Sequence, residues 1–182
     1  MSYIPLAILA AIVAWFVAAY NKLVRLRNQV RNAWHQIDVQ LKRRHDLIPN
    51  LVEVVKDYMT YEQETLTKVI EARGAAVAAK GPAAQAKAEN VLTESLKSLF
   101  AVVENYPDLK ANQNVAALQE ELTGTENKIS FARQFFNDSV MTYNNTTQAI
   151  PSNIVASLFN FVQEPYFQAE ETDRAVPKAD LR

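Results

Sequence analysis

Between Tyr3 and Tyr20 the chain carries no Lys, Arg, Asp or Glu, and its first charge is Lys22. A helix of that length rises roughly 26 Å, close to the thickness of a bilayer's hydrocarbon core, and a modest bilayer adjustment takes up the difference. Tyr3 and Tyr20 stand at its two ends, where aromatic rings serve as interfacial anchors. A cleaved signal peptide is the competing reading, since Val17 and Ala19 are small. Met1 to Pro5 lacks the basic n-region that such a peptide needs. Residues 1–20 therefore read as a transmembrane anchor. Without any cysteine, thiol acylation has no acceptor, and Ser2 in place of glycine excludes N-myristoylation.

The flanks predict an orientation. No basic side chain precedes the apolar run, whereas Lys22, Arg25, Arg27, Arg31, Lys42, Arg43 and Arg44 follow it with only Asp38 among them. The positive-inside rule then places the N-terminus outside and the larger part of the chain in the cytoplasm. Residues 22–45 sum to +6 against a whole-chain charge of −1, so the remainder is acidic. Lys22, Arg25, Arg27 and Arg31 are candidate juxtamembrane contacts to anionic lipid headgroups, and the lipid bilayer is the first expected partner. Nucleic acid is not expected, because aromatic residues are sparse in the basic run and the pI is about 6.1.

Three glycines in 182 residues, with Ala, Leu, Val, Gln, Glu and Lys plentiful, favour an all-α fold. The length beyond the anchor suits one domain with its own core. Leu23, Val30 and Ile37 recur at seven-residue spacing, with Leu26, Ala33, Trp34 and Leu41 in the same stripe, which marks a core-facing helix. Its heptad phase continues past Pro49 through Leu51 and Tyr58, with Val54 and Tyr61 at the partner position. One long helix, kinked at Pro49, is therefore predicted to run to about Ala78, with Gly74, Gly81 and Pro82 marking the turn. Leu92, Leu96, Leu99 and Val103 give a second helix from Pro82 to about Asn105, and Tyr106-Pro107 predicts a corner.

The clearest periodicity follows. Val115, Leu122, Ile129, Phe136, Tyr143 and Ile150 are each seven apart, beside a small or polar seam of Leu118, Thr125, Ala132, Ser139 and Thr146. Such alternation suits close, coiled-coil-like packing in an antiparallel bundle. Pro151 should stop this helix. Ile154, Val155, Leu158 and Phe159 predict a short apolar helix within 152–162, and residues 163–182 read as a loosely held tail.

Tyr20-Asn21, Leu26-Arg27-Asn28, Ala33-Trp34, the run Ile37 to Arg44 and Asp46-Leu47-Ile48-Pro49-Asn50-Leu51-Val52 resemble the signature of the LemA family. Tyr106-Pro107-Asp108-Leu109-Lys110-Ala111-Asn112, Thr125-Glu126-Asn127, Arg133 and Phe136-Asn137-Asp138 continue the resemblance in order. It covers roughly residues 20–170. Phe136 departs from the family's usual Tyr before Asn-Asp, and Ile150 from an aromatic before the proline. The resemblance implies a bacterial single-pass protein of the cytoplasmic (inner) membrane, with a bundle of long helices over residues 21–162 and relatives on magnetosome membranes. It implies no established reaction.

The residues themselves offer little chemistry. Without cysteine, thiolate catalysis and cysteine metal sites are excluded. Di-metal bundles use Glu-x-x-His pairs, and no Glu stands three residues before His35 or His45, so neither a metal nor another cofactor is expected. His35 reads as a partly exposed helix residue and His45 as part of a solvated basic turn. No Gly-x-Ser-x-Gly elbow or phosphate-cradling glycine loop occurs, and no enzyme activity is expected.

Asp38, Lys42, Arg43, Arg44, Asp46 and Asn50 raise the sharper question. As structure, Asp38 pairs with Lys42, and Asp46 with Lys42 or Arg43, for about a few tenths of a kcal/mol each. As function, these residues form a candidate interaction surface where Arg43 and Arg44 meet acids of a neighbouring copy, such as Glu120, Glu121 or Glu126. Arg44 falls on the apolar seam, where a charge needs a partner or an outward turn. Two readings follow: a self-assembling membrane scaffold that organises or shapes the bilayer, or a membrane-anchored adaptor or sensor that recruits a protein partner.

Overall fold

The computed structural model describes residues 3–59 and 62–167. Six helices follow one another, α1 Ile4–Lys56, α2 Gln63–Ala78, α3 Pro82–Val103, α4 Pro107–Lys110, α5 Gln113–Gln148 and α6 Ser152–Leu158, with no strand among the described residues. Internal contacts group the chain into two compact units that do not follow the compositional boundaries at residues 20 and 162. One is built from residues up to Val39 together with Ile129–Tyr166, the other from Gln40–Lys128. Tyr61, placed on a seam by its phase, and most of the expected tail, residues 168–182, lie outside the described residues.

The first helix passes Pro49 without interruption but ends at Lys56, not near Ala78. Chain geometry explains the difference. In a straight helix Leu66 would lie about 16 Å beyond Val55. Instead the N–H groups of Tyr58 and Met59 both donate to the Val55 carbonyl in a closing turn. Met59 is fully buried, and Ile48, Leu51, Val55, Leu66 and Val69 all join the same cluster. Tyr58, expected on the seam, is exposed.

In that second unit α2 packs along α3. Gly74 lies inside α2, and the turn falls on Gly81, whose φ of +84° is a left-handed conformation that side chains disfavour. Pro82 then occupies the first turn of α3, where its missing N–H costs nothing. All four residues of the expected stripe, Leu92, Leu96, Leu99 and Val103, are buried. The corner at Tyr106-Pro107 contains one helical turn, α4, which inserts Leu109 into the core. Asn112 caps α5 by accepting the N–H groups of Asn114 and Val115 at its Oδ1, at 2.9 and 3.4 Å.

In the first unit the seven-residue stripes of α1 and α5 supply the core. Leu23, Val30, Ala33 and Ile37 are buried on α1, and Ile129, Phe136 and Tyr143 on α5. Trp34 meets Phe136 edge to face at 5.4 Å between ring centroids. The stripe ends there. α5 stops at Gln148, and Ile150, which continues the spacing, is 85% exposed. After α6, Asn160 takes a left-handed φ of 53° and the Phe161 N–H closes on the Ala156 carbonyl at 2.9 Å, a Schellman-type ending. That reversal buries Phe161 against Tyr20 and beneath the Arg27 guanidinium.

The core stripe of α5 is directly testable. Ile129→Ala or Phe136→Ala should each lower stability by about 2–5 kcal/mol, because each leaves a cavity in a packed seam. Gln134→Ala, on the exposed side of α5, should change it far less. Thermal melts of the detergent-solubilised chain separate the two classes; equal midpoints would mean that the stripe does not form the core.

Candidate functional site

The most concentrated polar chemistry lies inside the second unit, where α1, α3 and α5 each contribute to one buried charge network. Arg44 is 2% exposed and Glu89 fully buried. Glu89 divides its carboxylate: Oε1 pairs with His45 Nε2 at 2.7 Å and Oε2 with Arg44 Nη1 at 3.5 Å. Arg44 Nη1 also lies 2.9 Å from Glu126 Oε2, while its Nη2 donates to Thr93 Oγ1 at 2.7 Å. Arg44 occupies the apolar seam that its phase implies, and paired acids make its burial tolerable. Those acids come from the same chain.

Pro49 adds a second element. Proline lacks the N–H that would bond the carbonyl four residues earlier, which is that of His45. Arg73 of α2 supplies the missing donor, its Nε reaching the His45 carbonyl at 2.7 Å. The helix therefore continues across Pro49 with its freed acceptor satisfied. His45 is consequently held on both sides, by Arg73 at its backbone and by Glu89 at its ring. It is a buried member of this network and not part of a solvated turn. Nothing in the pattern before Pro49 pointed to Glu89 or Arg73, which lie far along the chain.

The six residues expected to form an interaction surface separate into two groups. Asp38, Lys42, Asp46 and Asn50 are exposed on α1. Arg43 pairs with Glu121 at 2.8 Å, both side chains about half exposed. Arg44 is withdrawn from the surface altogether. Glu121 and Glu126, foreseen as acids of a neighbouring copy, thus meet Arg43 and Arg44 within one chain. Beside Arg44, a small cleft of about 170 Å³ opens between Leu96, Phe100 and Leu122, with Glu126 and Lys97 at its edge.

Near the apolar run, the first unit holds the other predicted contacts. Lys22, Arg25 and Arg31 are exposed, while Arg27 is partly buried with its guanidinium 4.8 Å from the Phe161 ring centroid. Lys22 and Arg25 stand above Trp15, Ala18 and Ala19 along an open groove of about 600 Å³, whose far wall includes Thr146 and Ser152. Tyr143 and Asn144 hold the chain that returns past this end. The Tyr143 hydroxyl donates to the Val162 carbonyl at 2.9 Å, and burial, then the Glu164 carboxylate, pushes its pKa up against the opposing pull of Arg27 and Arg31. Asn144 both donates to the Glu164 carbonyl and accepts the Glu164 N–H, each at 2.9 Å.

The two arginines make unequal demands on stability. Arg44→Met leaves Glu89 buried beside an incomplete set of partners and should cost about 3–5 kcal/mol. Arg43→Ala, which breaks a half-exposed pair, should cost at most about 1 kcal/mol. Arg44→Glu should abolish cooperative melting. Denaturation midpoints that are the same for Arg44→Met and Arg43→Ala would contradict the buried network.

Comparison with known proteins supplies the family. The LemA family model matches residues 33–181. Protein LemA of Metamycoplasma hominis is 26% identical over 172 residues, which cover 92% of this chain and 77% of that protein. Magnetosome protein MamQ 2 of Paramagnetospirillum magneticum is 23% identical over 184 residues, covering 87% of this chain and 68% of the relative. Magnetosome protein MamQ of Magnetospirillum gryphiswaldense is 22% identical with the same coverages. With the family model covering α1 from residue 33 onward, the residues of the buried network and the whole of α5, the chain belongs to the LemA family.

Proposed function

We propose that this protein is a membrane-anchored, non-enzymatic scaffold of the bacterial inner membrane that self-assembles and organises the bilayer around it. The observation that carries the reading is a pair of aromatic side chains. Phe131 and Phe135 stand one turn apart on α5 and are 73% and 43% exposed, outside the apolar run and therefore in water unless another protein covers them. Exposed aromatics so placed mark contact surfaces. The small seam does not supply that contact, because Thr125 and Ser139 are buried within the chain.

Anchoring rests on the first helix. Its apolar window has a mean hydropathy of 2.0 and is only 6% buried by the protein, so its side chains are free to face lipid. Similarity to magnetosome proteins supports work at a membrane. The basic flank supports a cytoplasmic bundle. A second reading, recruitment of a protein partner, draws support from the cleft beside Arg44, whose apolar walls and charged rim suit one inserted side chain.

Sizing in detergent separates the two. A scaffold runs as a large homo-oligomer, and Phe131→Asp with Phe135→Asp reduces it to a smaller species of unchanged helicity. A wild-type chain that is monomeric until a partner is added favours the adaptor.

Orientation has its own test, helped by the absence of native cysteine. In intact cells, Ser2→Cys should react with a membrane-impermeant thiol reagent and Arg31→Cys should resist it. Labelling at position 31 would put the bundle outside.

A further inference from the structure

We propose that Ile150–Val162, the turn after α5 together with α6, is a second membrane contact that lies at the boundary between headgroups and acyl chains, beside the emerging span. The inference rests on the reading of the apolar run as a bilayer span. It begins from depth. Phe159 packs against Phe16 at 6.0 Å and Tyr20 at 4.7 Å between ring centroids. Phe16 is one turn inside the apolar run, about 6 Å from Tyr20 along the helix axis. A run that only just spans the hydrocarbon core cannot leave its last turn in water. Phe159 therefore sits at the depth of that last turn, and α6 with it.

Composition agrees with that placement. No Lys, Arg, Asp or Glu occurs between Asp138 and Glu164, so the segment carries no charge that burial in the interface would have to desolvate. Its outward side chains are mostly apolar, with Ser157 and Asn160 the exposed polar ones. Ile154, Leu158 and Val162 are 59%, 68% and 77% exposed, and Ile150 is more exposed still. In water this is an unfavourable surface, and contact with acyl chains removes it from water. The polar boundary lies where an interface requires it. Lys22 and Arg25 stand one turn or so beyond Tyr20 and border the groove shared with Ile150 and Ser152, at the level of lipid phosphates. The occupant of the face is accordingly the anionic leaflet that the first helix leaves.

The inward contacts give the segment a fixed seat. Val155 and Ala156 are buried, Phe161 is clamped under Arg27, and Tyr143 and Asn144 hold residues 162 and 164. One side of the segment is thus committed to the protein and the other is left free.

Single cysteines carrying the environment-sensitive fluorophore NBD test this in the full chain, reconstituted into vesicles of phosphatidylglycerol and phosphatidylethanolamine with or without doxyl-labelled lipid. Probes at Leu158→Cys and Ile8→Cys should both emit to the blue and be quenched by the doxyl lipid, whereas one at Gln134→Cys should do neither. A quenched Ile8 probe with an unquenched, water-like Leu158 probe would overturn the second contact and leave the span intact. A blue-shifted but unquenched Leu158 probe would also overturn it, by showing that protein covers the face. Loss of quenching at both positions would refute the span and the contact together.

Discussion

Burying Arg44 is the constraint from which much of the second unit follows. A guanidinium removed from water is tolerable only where its charge and its donors are met, and one acid at 3.5 Å does not meet them. Glu126 and Thr93 complete the shell at shorter distances, and His45 takes the other oxygen of Glu89. Since these groups come from α1, α3 and α5, the network fixes which turns of three helices lie opposite one another. Leu-rich stripes alone would tolerate several arrangements; a fully paired buried charge tolerates few. Whether such a network adds net stability is secondary to the alternatives it penalises.

Pro49 extends the same logic to the backbone. Removing a hydrogen-bond donor inside a helix ordinarily breaks or bends it, yet here the orphaned carbonyl of His45 receives the Arg73 side chain. A local defect in α1 becomes an attachment point for α2. His45 and Arg44 are adjacent in sequence, so the proline-freed carbonyl and the buried charge occupy the same turn. The family motif around residues 37–52 concentrates both features in one short stretch.

Much of this fold is legible in the sequence because it is written in local spacing. The α3 stripe, the α5 heptads from Val115 to Tyr143 and the stop before Pro151 depend on periodicity within one element, and they match. The end of α1 at Lys56 does not, because heptad phase alone cannot tell a straight helix from two that fold back on one core. His45, expected in a solvated turn, is buried for a related reason. Its neighbours in sequence are charged, but Glu89, which buries it, is remote. Arg44 lies on the seam by phase and is buried there, while which chain supplies its acids is beyond what phase can decide. The turn after α5 was read as a short apolar helix, but its proximity to Phe16 and Tyr20 depends on a reversal at Asn160 that no periodicity announces.

The polar residues on the α5 seam carry one more consequence. Thr125, Ser139 and Thr146 each donate their hydroxyl to the carbonyl four residues earlier in the same helix, at 2.8 Å. Their donors are satisfied within the helix, so they can be buried with little directional demand on a neighbour; Ser139 also accepts a long hydrogen bond, from Gln29 Nε2 of α1 at 3.5 Å. Small, self-satisfied side chains make a smooth track. On such a track, sliding by one heptad would meet little resistance from the seam itself. The burden of preventing register slip therefore falls on the few bulky or charged features beside it, Phe136 against Trp34 in one unit and Arg44 with Glu126 in the other. The long helices of this chain are therefore held in register by sparse, widely spaced stops, with little between them to fix it.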